Sequence, residues 1–271
     1  MIGTIDAAFS RARSEYRAAL IIYLMAGDPS LAATADLMRA AADGGADIIE
    51  LGFAYSDPLA DGPTIAAAGA RALATGLTFE STMSLEVRSA GVPVVAFGYW
   101  NPYLVRGPER TVARLAHAGY AGAIVADLPP EEGAALHDAC RREGLALPLL
   151  VAPTTPRERL GRIARASTGF LYAVSRLGVT GARAELAGGV EALVGMVKSE
   201  TDLPVAVGFG ISSPAHAHEV ARYADGVVVG SAIIDVATRA TSLAAACTAV
   251  TAACRAFSTA CLRRTDALST V

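Results

Sequence analysis

Residues 48–63 read Ile48-Ile49-Glu50-Leu51-Gly52-Phe53-Ala54-Tyr55-Ser56-Asp57-Pro58-Leu59-Ala60-Asp61-Gly62-Pro63. The segment starts as an apolar run that ends on a carboxylate. It continues as a loop rich in Gly and Pro that carries two more, Asp57 and Asp61. A short apolar run bounded by turn residues is the mark of a strand covered on both faces, as in a parallel sheet. A carboxylate at the end of such a strand is costly if it stays charged and unpaired. Glu50 is therefore either a functional group or half of a structural ion pair.

The same unit recurs along the chain. Strands are predicted at Leu20–Leu24, Asp47–Leu51, Val92–Phe97, Gly122–Ala126, Leu147–Val151, Gly169–Val174, Pro204–Val207 and Gly226–Val229. Amphipathic patterns over 30–44, 64–75, 80–89, 108–118, 131–144, 155–166, 189–200 and 214–222 alternate with them, and a last helix spans about 241–260. Asp6, Arg11, Arg13 and Glu15 make the N-terminus a short helix rather than a signal peptide. Eight evenly spaced strand–helix units in 271 residues predict an α/β fold, a single-domain (β/α)8 TIM barrel with an extra N-terminal helix, over an open doubly wound sheet. The domain is expected over residues 1–262, with 263–271 a polar tail that frays.

Composition narrows the class. A net charge of -3 shows no basic excess, so neither nucleic acid nor an anionic membrane is an expected partner. No apolar run approaches the roughly 20 residues of a membrane span. Cys247, Cys254 and Cys261 repeat every seven residues, one helix face with neighbours roughly 10 Å apart. That is too far for bridging. With Cys140 they read as buried free thiols, and a cytoplasmic location follows.

Active sites of such barrels lie at the C-terminal ends of the strands. There the sequence offers Tyr23, Glu50, the Asp57/Asp61 loop, the segment Tyr99-Trp100-Asn101, Asp127, and Tyr172 followed by residues 175–181. Gly208-Phe209-Gly210-Ile211-Ser212 and Gly230-Ser231 follow the last two strands. Glycines let backbone N–H groups approach a phosphate, a following helix N-terminus adds positive potential, and Gly181 offers a further donor. The one lysine, Lys198, falls before the seventh strand, on the wrong face for a Schiff base. His117, His137, His216 and His218 fall on helices, so no metal site is expected. Acid–base work is left to carboxylates and tyrosines. Glu50 is the candidate with a raised pKa, and Asp61 reaches the pocket from its loop. Asp57, before Pro58, suits a turn, and Asp127 suits a helix cap or an ordering role for the neighbouring loop.

Ala26-Gly27-Asp28-Pro29, Glu50-Leu51-Gly52, the run from Ser56 to Ile65, Asp127-Leu128-Pro129, Ser175-Arg176, Gly178-Val179-Thr180-Gly181, Gly208-Phe209-Gly210-Ile211-Ser212 and Gly230-Ser231-Ala232-Ile233 together resemble the tryptophan synthase α subunit family over nearly the whole chain. The resemblance implies retro-aldol cleavage of indole-3-glycerol phosphate to indole and glyceraldehyde 3-phosphate, without a cofactor. It also implies a β subunit partner, which carries PLP, in an α2β2 heterotetramer. It makes Glu50, Asp61 and Tyr172 the catalytic set: Glu50 the acid–base, Asp61 the partner of the indole N–H, Tyr172 near the reacting atoms. Gly181, Phe209, Gly210, Gly230 and Ser231 hold the phosphate. Tyr23, Ile65, Phe97, Tyr99, Ile124, Ala126, Thr180 and Val228 form the substrate pocket, and Ala54, Asp57 and Asp127 belong to loops that couple to the partner. Ala54 and Tyr55 stand where the family usually has Pro and Phe, and Trp100 where it has a smaller residue or tyrosine. The alternatives are a stand-alone lyase releasing free indole, motivated by the loop changes, and a silent regulatory homologue.

Overall fold

The computed structural model describes residues 4–174, 186–208 and 210–263. Eight parallel strands, β1 Ala19–Met25, β2 Ile48–Gly52, β3 Val94–Gly98, β4 Gly122–Val125, β5 Leu149–Val151, β6 Leu171–Val174, β7 Val205–Gly208 and β8 Gly226–Val229, pair in the order β4-β3-β2-β1-β8-β7-β6-β5. Each strand thus lies beside its sequence neighbour, and β8 closes onto β1. Between β4 and β5 the ring is joined by one bridge, Gly122 to Ala146, low on the strands. The result is a (β/α)8 barrel, as the alternation of apolar runs predicts.

Twelve helices lie among the described residues: α1 Ile5–Ser14, α2 Leu31–Asp43, α3 Pro63–Ala74, α4 Phe79–Met83, α5 Trp100–Arg106, α6 Pro108–Ala118, α7 Ala134–Glu143, α8 Arg157–Ala166, α9 Leu186–Lys198, α10 Pro214–Ala221, α11 Ser231–Thr238 and α12 Leu243–Ala260. The pleat sends alternate strand residues to opposite faces, which sorts the core into two layers. Leu20, Ile22, Leu24, Ile49, Leu51, Ala96 and Val207 pack outward under the helices. Ile21, Tyr23, Ile48, Val95, Phe97, Ile124, Tyr172 and Val228 fill the barrel interior. From below, α1 plugs the barrel with Ile5, Ala8, Phe9 and Ala12, and Phe9 meets Phe170 at 5.6 Å. On α12, Val250, Cys254 and Phe257 are buried in the outer layer, and Cys261 just beyond it is buried too. Cys247 is half-buried, so the seven-residue repeat points only partly inward; all four cysteines are free thiols.

Three local differences from the sequence expectation have physical causes. The pattern over 80–89 splits into α4 and a 3-10 turn, Arg88–Ala90. There the Glu86 carboxylate accepts from Arg88 N–H, a local bond that competes with helix. The fifth strand starts at Leu149 rather than Leu147, because Thr168 and Ser167 hydroxyls accept the N–H groups of Leu147 and Leu149 in place of a neighbouring strand. Arg263, expected to fray, is anchored: its guanidinium donates to the Ala221 and Ala224 carbonyls, and its N–H to Tyr16. The rest of the tail lies outside the described residues.

Candidate active site

Two buried carboxylates, three residues apart, sit at opposite ends of one strand segment. Asp47, at the lower rim, is 1% exposed and fully engaged. It accepts from Leu20 N–H at 2.8 Å and from the guanidinium groups of Arg11 and Arg17. Glu50, also 1% exposed, points into the barrel, and its Oε1 has no hydrogen-bond partner. Among the described residues no basic side chain pairs with it. Of the two readings open for Glu50, the structural ion pair belongs instead to Asp47. Burial alone pushes the Glu50 carboxyl up to about 8, so it holds a proton at neutral pH.

Glu50 faces a cavity of about 420 Å³ at the C-terminal mouth of the barrel. The strands supply Tyr23, Phe97, Leu150, Tyr172, Val174 and Val228; the β2–α3 loop and the start of α3 supply Leu59 to Ile65; Gly210, Ile211, Gly230 and Ser231 complete the lining. Tyr23 is the register partner of Glu50 across β1 and β2. Its hydroxyl occupies the space above Gly52, where a Cβ would stand 1.9 Å away; the Tyr172 hydroxyl does the same above Gly208, at 2.2 Å. Burial holds both phenols well above their usual range, reinforced by the carboxyls nearby, Asp61 and then Glu50 for Tyr23 and Glu50 for Tyr172. They therefore stay protonated.

Asp61 enters from the loop. Burial lifts its carboxyl to about 6, partly offset by the Tyr99 hydroxyl. Tyr99 also accepts the Ala60 N–H at 3.1 Å. The two cavity carboxyls are thus separated so that at pH 7 one is mostly protonated and the other mostly ionised, a pairing suited to an acid and a cation stabiliser.

The cavity's described lining contains no Lys or Arg. Among the described lining residues an anion is left to backbone N–H groups and to hydroxyls such as those of Thr64 and Ser231. The two helices that follow β7 and β8 differ in this respect. At α10 the Ser213 hydroxyl caps the helix, accepting from His216 N–H. At α11 the cap position is Gly230, with no side-chain cap; the Ile233 N–H turns back to the Gly230 carbonyl, and among the described residues no side chain takes the N–H groups of Ser231 and Ala232. Gly210 takes φ +83, a conformation costly for other residues.

Of the remaining sequence candidates, Ile65 lines the cavity from α3. Ile124 lies in the interior core and Ala126 packs against it; neither is in the lining. Asp57 is exposed on the loop. Asp127 accepts the Trp100 N–H at 2.7 Å and so caps α5, the helix preceding it, rather than the one that follows. Thr180, Gly181 and Phe209 lie outside the described residues. Leu150 and Val174 are lining residues that sequence reading missed; Leu150 is the register partner of inward-facing Tyr172, and strand alternation was the available signal.

The model of the tryptophan synthase alpha chain family matches residues 9–261. The chain belongs to the tryptophan synthase alpha chain family. Alpha chains from Roseiflexus castenholzii and Methanosarcina acetivorans are both 49% identical to it, over 84% of this chain and 89% of the first relative, and over 86% and 85% for the second. Among solved structures, tryptophan synthase from Mycobacterium tuberculosis superimposes with a TM-score of 0.88 at 39% identity, covering 97% of this chain and all of that one. The alpha subunit from Legionella pneumophila gives 0.85 at 32% identity, covering 96% and 98%. The departures from the family pattern are accommodated locally: Tyr55 stacks on Tyr99, and Trp100 stacks on buried Tyr103.

Proposed function

We infer that this chain cleaves indole-3-glycerol phosphate to indole and glyceraldehyde 3-phosphate as the α subunit of tryptophan synthase. The observation that carries the residue assignment is the buried Glu50, its Oε1 without a hydrogen-bond partner, lining the same cavity as Asp61, with burial favouring the protonated form of Glu50 more than that of Asp61. The Glu50 carboxylic acid gives its proton to indole C3. That carbon becomes tetrahedral and the ring nitrogen takes positive charge, which the Asp61 carboxylate stabilises at the N–H. The Glu50 carboxylate then removes the proton of the side-chain hydroxyl next to C3. The O–H electrons form the aldehyde C=O, the C3–C bond breaks, and its electrons restore the aromatic ring. Glu50 ends as it began, protonated.

Tyr172 borders the reacting atoms from β6, and Tyr23, Phe97 and Val228 wall the indole. The phosphate lies at Gly210, Gly230 and Ser231, where uncapped α11 supplies donors, with Gly181 and Phe209 completing its shell. Anchoring the phosphate away from the breaking bond orients the substrate. The chemistry needs only these side chains, so we assign the chain no cofactor of its own and leave PLP to the β subunit. Exposed Leu59, Leu104 and Val105, which follow the ends of adjacent strands β2 and β3, support a partner face on this rim, with Ala54, Asp57 and Asp127 beside it in an α2β2 assembly. The four free thiols support a cytoplasmic setting.

The test is indole release from indole-3-glycerol phosphate by the purified chain, alone and with a β subunit. Slow turnover that β accelerates, and that Asp61→Asn reduces by about 100-fold or more, is the expected result. Full activity without β points to a stand-alone lyase, and full activity in Asp61→Asn removes Asp61 from the mechanism.

A further inference from the structure

Asp61 is held from a loop, not from a strand, and most of that loop is exposed: Ser56, Asp57, Leu59 and Ala60 all face solvent. Something must fix its carboxylate against the indole nitrogen. Two attachments to the barrel rim are evident. The Tyr99 hydroxyl, at the top of β3, accepts the Ala60 N–H at 3.1 Å and bears on the Asp61 carboxyl. At the other end of the loop, the Tyr55 ring lies on the Tyr99 ring, with centroids 5.2 Å apart and planes 26° from parallel. Tyr99 is itself held from behind, since the next N–H in the chain, that of Trp100, donates to Asp127 at 2.7 Å. One phenol thus takes the loop by both ends, through its face and through its hydroxyl.

We propose that Tyr55 is a positioning residue for the cleavage reaction: its ring clamps Tyr99 so that the Tyr99 hydroxyl holds Ala60 and Asp61 in place over the cavity. The inference rests on the assignment of Asp61 above. An offset-stacked aromatic pair has a preferred geometry and a contribution beyond its buried area, so the stack fixes the phenol where an aliphatic side chain would leave it freer to swing. Tyr99, after β3, and Tyr23, from β1, interact with the Asp61 carboxyl; Asp127, after β4, bears on Tyr99, and Glu50, from β2, on Tyr23.

The experiment is a double-mutant cycle on the αβ complex, with Tyr55→Ala, Tyr99→Phe and the combination, alongside Tyr55→Phe and Tyr55→Leu. Tyr55→Ala is expected to lower kcat by up to about tenfold, the upper end of what an aromatic pair contributes. The acid limb of its pH–rate profile, set by Asp61, should move to higher pH, because the hydroxyl that favours the carboxylate is less firmly held. Tyr99→Phe should move the limb in the same direction, and the combination should be no worse than Tyr99→Phe alone. Tyr55→Phe, which keeps the stack, should restore the native profile. Tyr55→Leu keeps the site apolar, guards against a folding defect, and should behave like the alanine variant. An unmoved acid limb in Tyr55→Ala and Tyr55→Leu, or strictly additive losses, overturns the proposal. Asp61→Asn in the same assay separates the two claims: if it keeps near-native turnover, the underlying assignment of Asp61 has failed; if it is inactive while the Tyr55 variants are native-like, only the clamp has.

Discussion

Replacing Glu50 with Gln should make the protein more stable and catalytically inert, and the gain should depend on pH in a way that identifies its source. In the unfolded chain the carboxyl ionises near its ordinary value of 4.5; in the fold, burial delays ionisation to about 8. Between those values the unfolded state has released a proton that the folded state retains. The folded state therefore binds more protons, and stability falls as pH rises, by about 1.4 kcal/mol for each step of one pH unit. The penalty is absent below about pH 4.5 and complete above about pH 8, where it amounts to about 3 to 5 kcal/mol. Gln has no such titration. Its own buried amide costs something, but equally at every pH. Calorimetry of both proteins at pH 5 and pH 8 should show the Tm difference moving in favour of Gln by on the order of 5–10 °C between the two. Indole release should fall by about 100-fold or more, since the carboxylic acid assigned to protonate C3 is gone and the cavity phenols, with raised pKa values, are far weaker acids. A Tm difference that does not change with pH would mean the carboxyl is solvated or paired after all. Retained turnover would show that another group delivers the proton.

Two further outcomes test the phosphate and stability assignments. Gly230→Leu should raise KM far more than it lowers kcat, measured by steady-state kinetics, because a Cβ there already meets Ile65 and Tyr23 at 3.4 Å and a larger group fills the mouth above uncapped α11; unchanged substrate affinity would move the phosphate elsewhere. Asp47→Asn should cost about 3 kcal/mol in urea unfolding, since it weakens a buried ion-pair cluster with Arg11 and Arg17, while kcat and KM stay native because the cluster is on the rim opposite the cavity.

How legible this was depended on whether a feature is local. The eight strands were readable because parallel strands covered on both faces are written as continuous apolar runs, and each is found within two residues or so of its expected ends. Glu50 was conspicuous for a related reason, as a carboxylate on an apolar run; Asp61 stood out only as a carboxylate in the Gly- and Pro-rich loop that follows it. Helices α5 and α11 were not foreseen. Trp100-Asn101-Pro102 looks like a turn, and the group that caps α5 is Asp127, 27 residues away. Pro102 is tolerated because it lies in the first helical turn, where its missing N–H has no partner to lose. α11 has eight residues and no side-chain cap, so it lacks the usual start signal; that same lack is what leaves its donors open. The Tyr55–Tyr99 contact joins two loops across the rim and leaves no local trace at all.

The single bridge between β4 and β5 has a mechanical consequence. Around the rest of the ring, neighbouring strands are laced along their length, and widening the mouth there breaks ladder hydrogen bonds. At the Gly122–Ala146 join the lacing is confined to the bottom, through Ala123 N–H to Ala146 and Ala146 N–H to Ala121. Gly122 is required even there, since a Cβ would come within 2.7 Å of the Ala146 carbonyl oxygen. Among the described residues the upper halves of β4 and β5 share no bond. There the ring is a collar clasped at its lower edge, and spreading above the clasp would cost apolar contacts such as those of Val125 and Leu149 but no ladder hydrogen bond between described residues. Leu150, on β5, lines the cavity beside this seam, so a bulky bicyclic ring pressing on that side would meet no ladder between β4 and β5 among the described residues.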